Sequence, residues 1–296
     1  MISSNNVCQL HEVARIRRGW ISDLVWSPNG RVLAVASAEG ITFHSADTLK
    51  VMGKLDGHDG PVKSIAVNAN GTLLASAGAD TTVRLWDLRA GGQQRILRGH
   101  TDAVDAVALN RDGHIVASAG ADKTVRLCDV ERGQQIKQLE GHTDEITSAV
   151  FCEGDILATA GWDSTIRLWD AEGNCQKILR HESWVRHLAT NRDGKMLASA
   201  SRDATVRLWN VETGNEVLRL DAHTGGADAV AFSPDGSLLA TSGRDLAIKF
   251  WDAATGKLIH SILDHEKPVL ALAFNQDGSL LATGSGDNTM RVWQIS

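Results

Sequence analysis

The chain contains no tyrosine, and its 296 residues hold only four cysteines and four prolines. Cys8, Cys128, Cys152 and Cys175 stand far apart with no Cys-x-x-Cys pair, so neither a zinc site nor a disulfide framework is suggested and a reducing cytoplasm is the expected location. No apolar stretch is long enough to span a bilayer. Met1 to Asn6 lack the basic-then-apolar order of a secretory leader and read as a polar, disordered lead-in (1–6). A formal net charge of -6, with both signs spread along the chain, is too mild to point to nucleic acid. Glycine is abundant, but it falls mostly in short turns and just before histidines, which is not the form of a phosphate-cradling loop.

What the chain does have is one pattern written six times. His58, His100, His142, His181, His223 and His265 are each followed after 21 or 22 residues by Asp80, Asp122, Asp163, Asp203, Asp245 and Asp287. Four residues before each Asp stands a hydroxyl: Ser76, Ser118, Thr159, Ser199, Thr241 and Thr283. Six residues after it comes Trp86, Cys128, Trp169, Trp209, Trp251 or Trp293. A tetrad recurring at intervals of about 40 residues is the mark of stacked four-stranded units.

The second unit shows the strands. Val62 to Val67 is apolar and β-prone, Asn70-Gly71 is a tight turn, and Leu73 to Ala77 forms a second strand. Val83 to Trp86 and Gln94 to Leu97 supply the third and fourth. Equivalent first turns at Asn29-Gly30, Asp112-Gly113, Glu153-Gly154, Asp193-Gly194, Asp235-Gly236 and Asp277-Gly278 bring the number of units to seven.

Gly-His, then Leu-Ala-Ser, then Asp-x-Thr-Val-Arg-Leu-Trp-Asp resembles the WD-repeat signature from about Arg17 onward. The resemblance implies an all-β fold: a seven-bladed β-propeller of four-stranded antiparallel blades, forming a single domain over 7–296 and acting as a platform for other proteins. The first unit departs from the pattern, with Arg17 at the His position, Val35 at the hydroxyl, Glu39 at the Asp, and Ser45 or His44 at the Trp. The last unit ends after its third strand, so the segment Val7 to Ile16 is expected to supply the missing outer strand and close the ring.

His, Ser/Thr and Asp together invite a nucleophilic-triad reading. Repetition argues against it, because a catalyst needs one such constellation and six peripheral copies are better explained as hydrogen-bonded braces within the blades. No cofactor or metal is expected; of the remaining histidines only His187, on an inner strand, is placed to face a channel.

In the family that the chain resembles, the loops bearing Gly-His and the turn Asp share one face, the top. Positions there without a structural duty give Trp20, Lys63, Asp105, Glu145, Trp162, Trp184, Arg186, Arg202, Asp228 and Arg244 as candidate partner-binding residues. Trp and Arg dominate binding hot spots. The alternative at this stage is that the two tryptophans pack on neighbouring loops while the arginines pair with Asp228 or Glu145. Function is therefore expected to be non-enzymatic binding of a protein or peptide by a monomeric propeller, without nucleic acid or membrane. The rival readings are an enzyme working at the central channel and a structural subunit of a larger assembly.

Overall fold

The computed structural model describes residues 1–295. Among them there is no α-helix; twenty-eight strands form seven antiparallel sheets of four. Six sheets are consecutive in sequence, as in the second, whose strands run Val62–Val67, Leu73–Gly78, Val83–Asp87 and Gly92–Leu97 from the channel outward. The seventh combines Val269–Phe274, Leu280–Ser285 and Thr289–Ile295 with Leu10–Arg17, so the N-terminal strand closes the ring. Ring closure leaves the inner strands packed against one another and the apolar core distributed between successive sheets.

Local sequence explains the regularity. The glycines of all seven first turns, Gly30, Gly71, Gly113, Gly154, Gly194, Gly236 and Gly278, lie at φ between 67° and 74°, a left-handed region where any other side chain is strained. Second strands such as Leu73–Gly78 are buried along their whole length, because they sit between the faces of neighbouring blades.

The lead-in read as disordered at 1–6 is placed differently. Ile2 is fully buried with Val7 against Phe250, Leu272 and Trp293, and its amide donates to the Gly278 carbonyl. One large aliphatic residue among polar ones was enough to anchor the segment.

The first blade compensates for its missing tetrad. His44 pairs with Leu33 as Trp86 pairs with Leu74, which places His44 at the Trp position. It is fully buried, its Nε2 3.0 Å from Thr42 Oγ1 and its Nδ1 3.0 Å from the Leu49 carbonyl. Trp26 is core, 7% exposed, and donates to the Ala273 carbonyl of the seventh blade at 3.0 Å.

A second departure lies on the outside of this blade. Opposite Leu85, Leu127, Leu168 and Leu208, the outer strands carry Arg95, Lys137, Lys177 and Leu218, whose chains lie against Gly133, Gly173, Gly214 and Gly256 of the following blade. The first blade has Gly53 opposite Phe43, and Gly91 of the next blade meets nothing within 4 Å. A groove of about 320 Å³, walled by Phe43, Met52, Val67 and Leu88, results. A Cβ at Gly53 would lie 3.9 Å from Phe43, so there is room. Gly53→Leu should raise stability by about 0.5–1.5 kcal/mol, through lower chain entropy in the unfolded state and added apolar burial. Denaturant titration measures it, and a lowered midpoint would show that the seam cannot admit the side chain.

Candidate functional site

The tetrads form as hydrogen-bonded chains. Histidine Nδ1 lies 2.7–2.9 Å from the turn aspartate in all six blades. Nε2 lies 2.7–2.9 Å from the strand hydroxyl. In five blades the indole Nε1 donates to the same hydroxyl at 2.8–3.1 Å. With Nδ1–H donating to carboxylate, Nε2 is left to accept the hydroxyl proton, which is the bonding order of a catalytic triad. Access separates the two cases: Ser76, Thr159, Ser199, Thr241 and Thr283 are 0% exposed, each covered by its indole partner. Cys128 replaces the indole in the third blade, and burial pushes its thiol up to about 11, away from the reactive thiolate.

Each aspartate has a further task. The residue after it, Thr81, Lys123, Ser164, Ala204, Leu246 or Asn288, sits at φ between 62° and 67°, or 73° at Ala204, and is not glycine. The carboxylate holds this turn from both sides; Asp203 accepts from the Thr205 amide at 2.9 Å and the Glu182 amide at 3.0 Å. Burial alone would raise its pKa, but hydrogen bonds from His181 and Thr205 outweigh that and hold the carboxyl well below the ordinary range.

A different set of side chains surrounds the channel. A cavity of about 490 Å³ is lined by Trp20, Lys63, Asp105, Glu145, Trp162, Arg186 and Asp228, bringing seven of the ten top-face positions together. Trp184 joins them by stacking on Trp162, ring centroids 4.6 Å apart and planes 13° from parallel. Trp184 stays 42% exposed and Trp20 52%, while Trp162 Nε1 is enclosed without a hydrogen-bond partner in the protein.

The arginines are partly engaged. Arg244 Nε is 2.9 Å and Arg186 Nε 3.7 Å from opposite oxygens of Asp228, a side chain only 1% exposed. The charges pair, yet neither carboxylate oxygen receives an aligned hydrogen bond and Arg186 Nε makes none. Burial raises the Asp228 pKa, the arginines opposing. Arg202 Nη1 donates to the Gly225 carbonyl at 3.1 Å, over Gly226. Across the channel Lys63 lies 3.9 Å from Asp105. Burial pushes Asp105 up to about 6, with Lys63 opposing and Glu145 adding to the rise. Trp162 and Trp184 thus pack on each other and two arginines share one aspartate; Trp184, Arg202 and Arg244 stand outside the cavity lining, and the Arg186 and Arg244 side chains stay partly exposed.

Sequence reasoning missed a ring of braces below this rim. Asp23 accepts the Ile65 amide of the next blade at 2.9 Å, and Ser148 accepts the Leu188 amide at 3.0 Å. His187 lines the cavity at the same inner-strand level, its Nδ1 enclosed without a hydrogen-bond partner among the described residues, and enclosure pushes its pKa down to about 4. The only signal was a polar residue at one inner-strand position of several units. Among the described residues no group of three or more His, Cys, Asp or Glu is placed to hold a metal ion.

A family model described as "WD domain, G-beta repeat" matches residues 49–87, 91–129, 133–170, 173–210, 214–252 and 256–294. Similarity to individual proteins is local. The chain is 34% identical over 84 residues to the small ribosomal subunit protein RACK1y of Oryza sativa, covering 27% of this chain and 25% of that protein. It is 40% identical over 63 residues to a periodic tryptophan protein 2 homolog of Schizosaccharomyces pombe, covering 21% and 7%. It is 36% identical over 81 residues to a probable cytosolic iron-sulfur protein assembly protein 1 of Malassezia globosa, covering 23% of each. The aligned segments span a quarter or less of these curated relatives.

Proposed function

The chain belongs to the WD-repeat family, and from that premise we propose that it is a non-enzymatic interaction platform whose channel mouth holds a segment of another protein. The observation that carries this reading is Trp184, 42% exposed, stacked on the part-buried Trp162 at the edge of the cavity that Arg186 lines, with Arg202 and Arg244 near Arg186. Large planar apolar surface next to guanidinium forks is the composition of a binding hot spot. Catalysis at the tetrads is disfavoured by the sealed hydroxyls. A reducing, cytoplasmic location fits the four unpaired cysteines.

Trp184→Ala with Arg202→Ala tests the surface, since neither side chain holds a tetrad. Loss of a hot-spot residue costs about 2 kcal/mol or more, so partner binding should weaken at least about 30-fold. Asp193→Lys and Asp277→Lys, in the turns of the opposite face, should leave it intact. Partner recovery from extract of the native cell is the readout; undiminished recovery by the double variant would move the interface to the blade sides or the bottom.

A further inference from the structure

Charge around the mouth is divided by position. Blades two to four contribute Lys63, Asp105 and Glu145, two carboxylates against one ammonium. Blades five and six contribute Arg186, Arg202, Arg244 and Asp228, three guanidinium groups against one carboxylate. The stacked tryptophans stand between the two sectors, since Trp162 belongs to the fourth blade and Trp184 to the fifth. Asp105 and Arg186 are close enough to influence each other electrostatically.

A segment of one charge sign fits this mouth poorly. A polyanion drawn to the arginines would meet Asp105 and Glu145 in the same partly desolvated cavity, where like charges cost more than at an open surface. A polycation meets the opposite sector on the same terms. The Arg186 and Arg244 side chains are 29% and 40% exposed, so guanidinium surface remains on the arginine side for a ligand carboxylate to meet. Asp228 is too deeply buried to serve a ligand and holds Arg186 and Arg244 in position instead.

We propose that the mouth is a dipolar site for a peptide segment with one cationic and one anionic side chain, the cation at Asp105 and Glu145 and the carboxylate at Arg186, Arg202 and Arg244, its backbone crossing the Trp162–Trp184 stack. This rests on the top-face reading above and adds the ligand's charge order to it. The cavity, about 490 Å³, is within the range that takes a few side chains.

The test uses the full chain and three pools of capped, fluorescein-labelled heptapeptides: Lys as the only charge, Glu as the only charge, or one Lys and one Glu two to four residues apart. Fluorescence anisotropy at physiological salt should show the mixed pool binding at least about 10-fold more tightly than either other pool. Asp105→Asn with Glu145→Gln should shift the preference to the Glu pool, and Arg202→Gln to the Lys pool, with melting close to wild type. A single-sign pool binding as tightly as the mixed one, or a preference unmoved by Asp105→Asn with Glu145→Gln, overturns the dipolar assignment while leaving peptide binding at the mouth standing. Binding by no pool overturns both.

Discussion

Removing residues 1–17 should yield a chain that elutes as aggregate and shows no cooperative melt. Three losses coincide. The strand Thr289–Ile295 becomes an unpaired edge carrying Met290, Val292 and Trp293, the kind of edge that pairs with other chains. Arg291, 2% exposed, loses Glu12, whose carboxylate accepts from it at 3.1 Å. Ile2 and Val7 leave the core cluster between the sixth and seventh blades, at about 1.5–3 kcal/mol each. Together these rival the about 5–15 kcal/mol that stabilises a typical domain. Size-exclusion chromatography and calorimetry decide it; a monomer melting at the wild-type temperature would mean that the seventh blade holds without its fourth strand.

Asp203→Ala should be the most damaging single change within a tetrad. It strips His181 of its carboxylate partner at 2.8 Å, frees the Thr205 and Glu182 amides and removes the clamp on Ala204 at φ 73°. It also leaves Arg207, 5% exposed, with Glu216 as its remaining anionic partner, 3.2 Å away. Breaking a buried charge pair on one side costs about 3–5 kcal/mol, or about 5–10 °C of melting temperature in a chain of this size. The same network sets the acid behaviour of the wild type. His181, lowered below its ordinary 6.5 by burial with Asp203 opposing, stays neutral when the unfolded chain takes up a proton, so stability falls as pH drops through about 6.5. Asp203, with its folded pKa depressed, contributes fully above the unfolded value of 3.8 and loses that contribution as pH falls through the folded one. Melting curves between pH 7.5 and 3 should show the first step and the onset of the second, both downward. A melting temperature of Asp203→Ala within about 1 °C of wild type would contradict the structural role.

The seven units, the closing strand and every tetrad were legible because each depends on spacing within one repeat, and repetition makes spacing readable. Ring closure was legible for a simpler reason: one unit lacked a strand and one segment lacked a unit. What escaped reading lies between blades. The braces by which Asp23 and Ser148 hold neighbouring inner strands follow from the curvature of the ring, which no local pattern encodes, and the same curvature decides between two readings that the sequence left open: Arg186 and Arg244 converge on the buried Asp228, and Trp162 stacks on Trp184. Ile2 was hidden by its polar neighbours, whereas His44 was one of the two residues that the spacing offered for the Trp position, the one that needs a turn a residue shorter than in the sister blades.

If stability resides in the tetrads and recognition at the channel mouth, one paired measurement separates them. Melting temperature and partner recovery are read on the same preparations of wild type, Asp203→Ala and Trp184→Ala with Arg202→Ala, with recovery performed well below the lowest melting point. Asp203→Ala should melt about 5–10 °C lower yet recover partners at wild-type yield, while the double variant should melt as wild type and recover few or none. Full recovery by the double variant, or loss of recovery by Asp203→Ala while it is still folded, would contradict that division of roles.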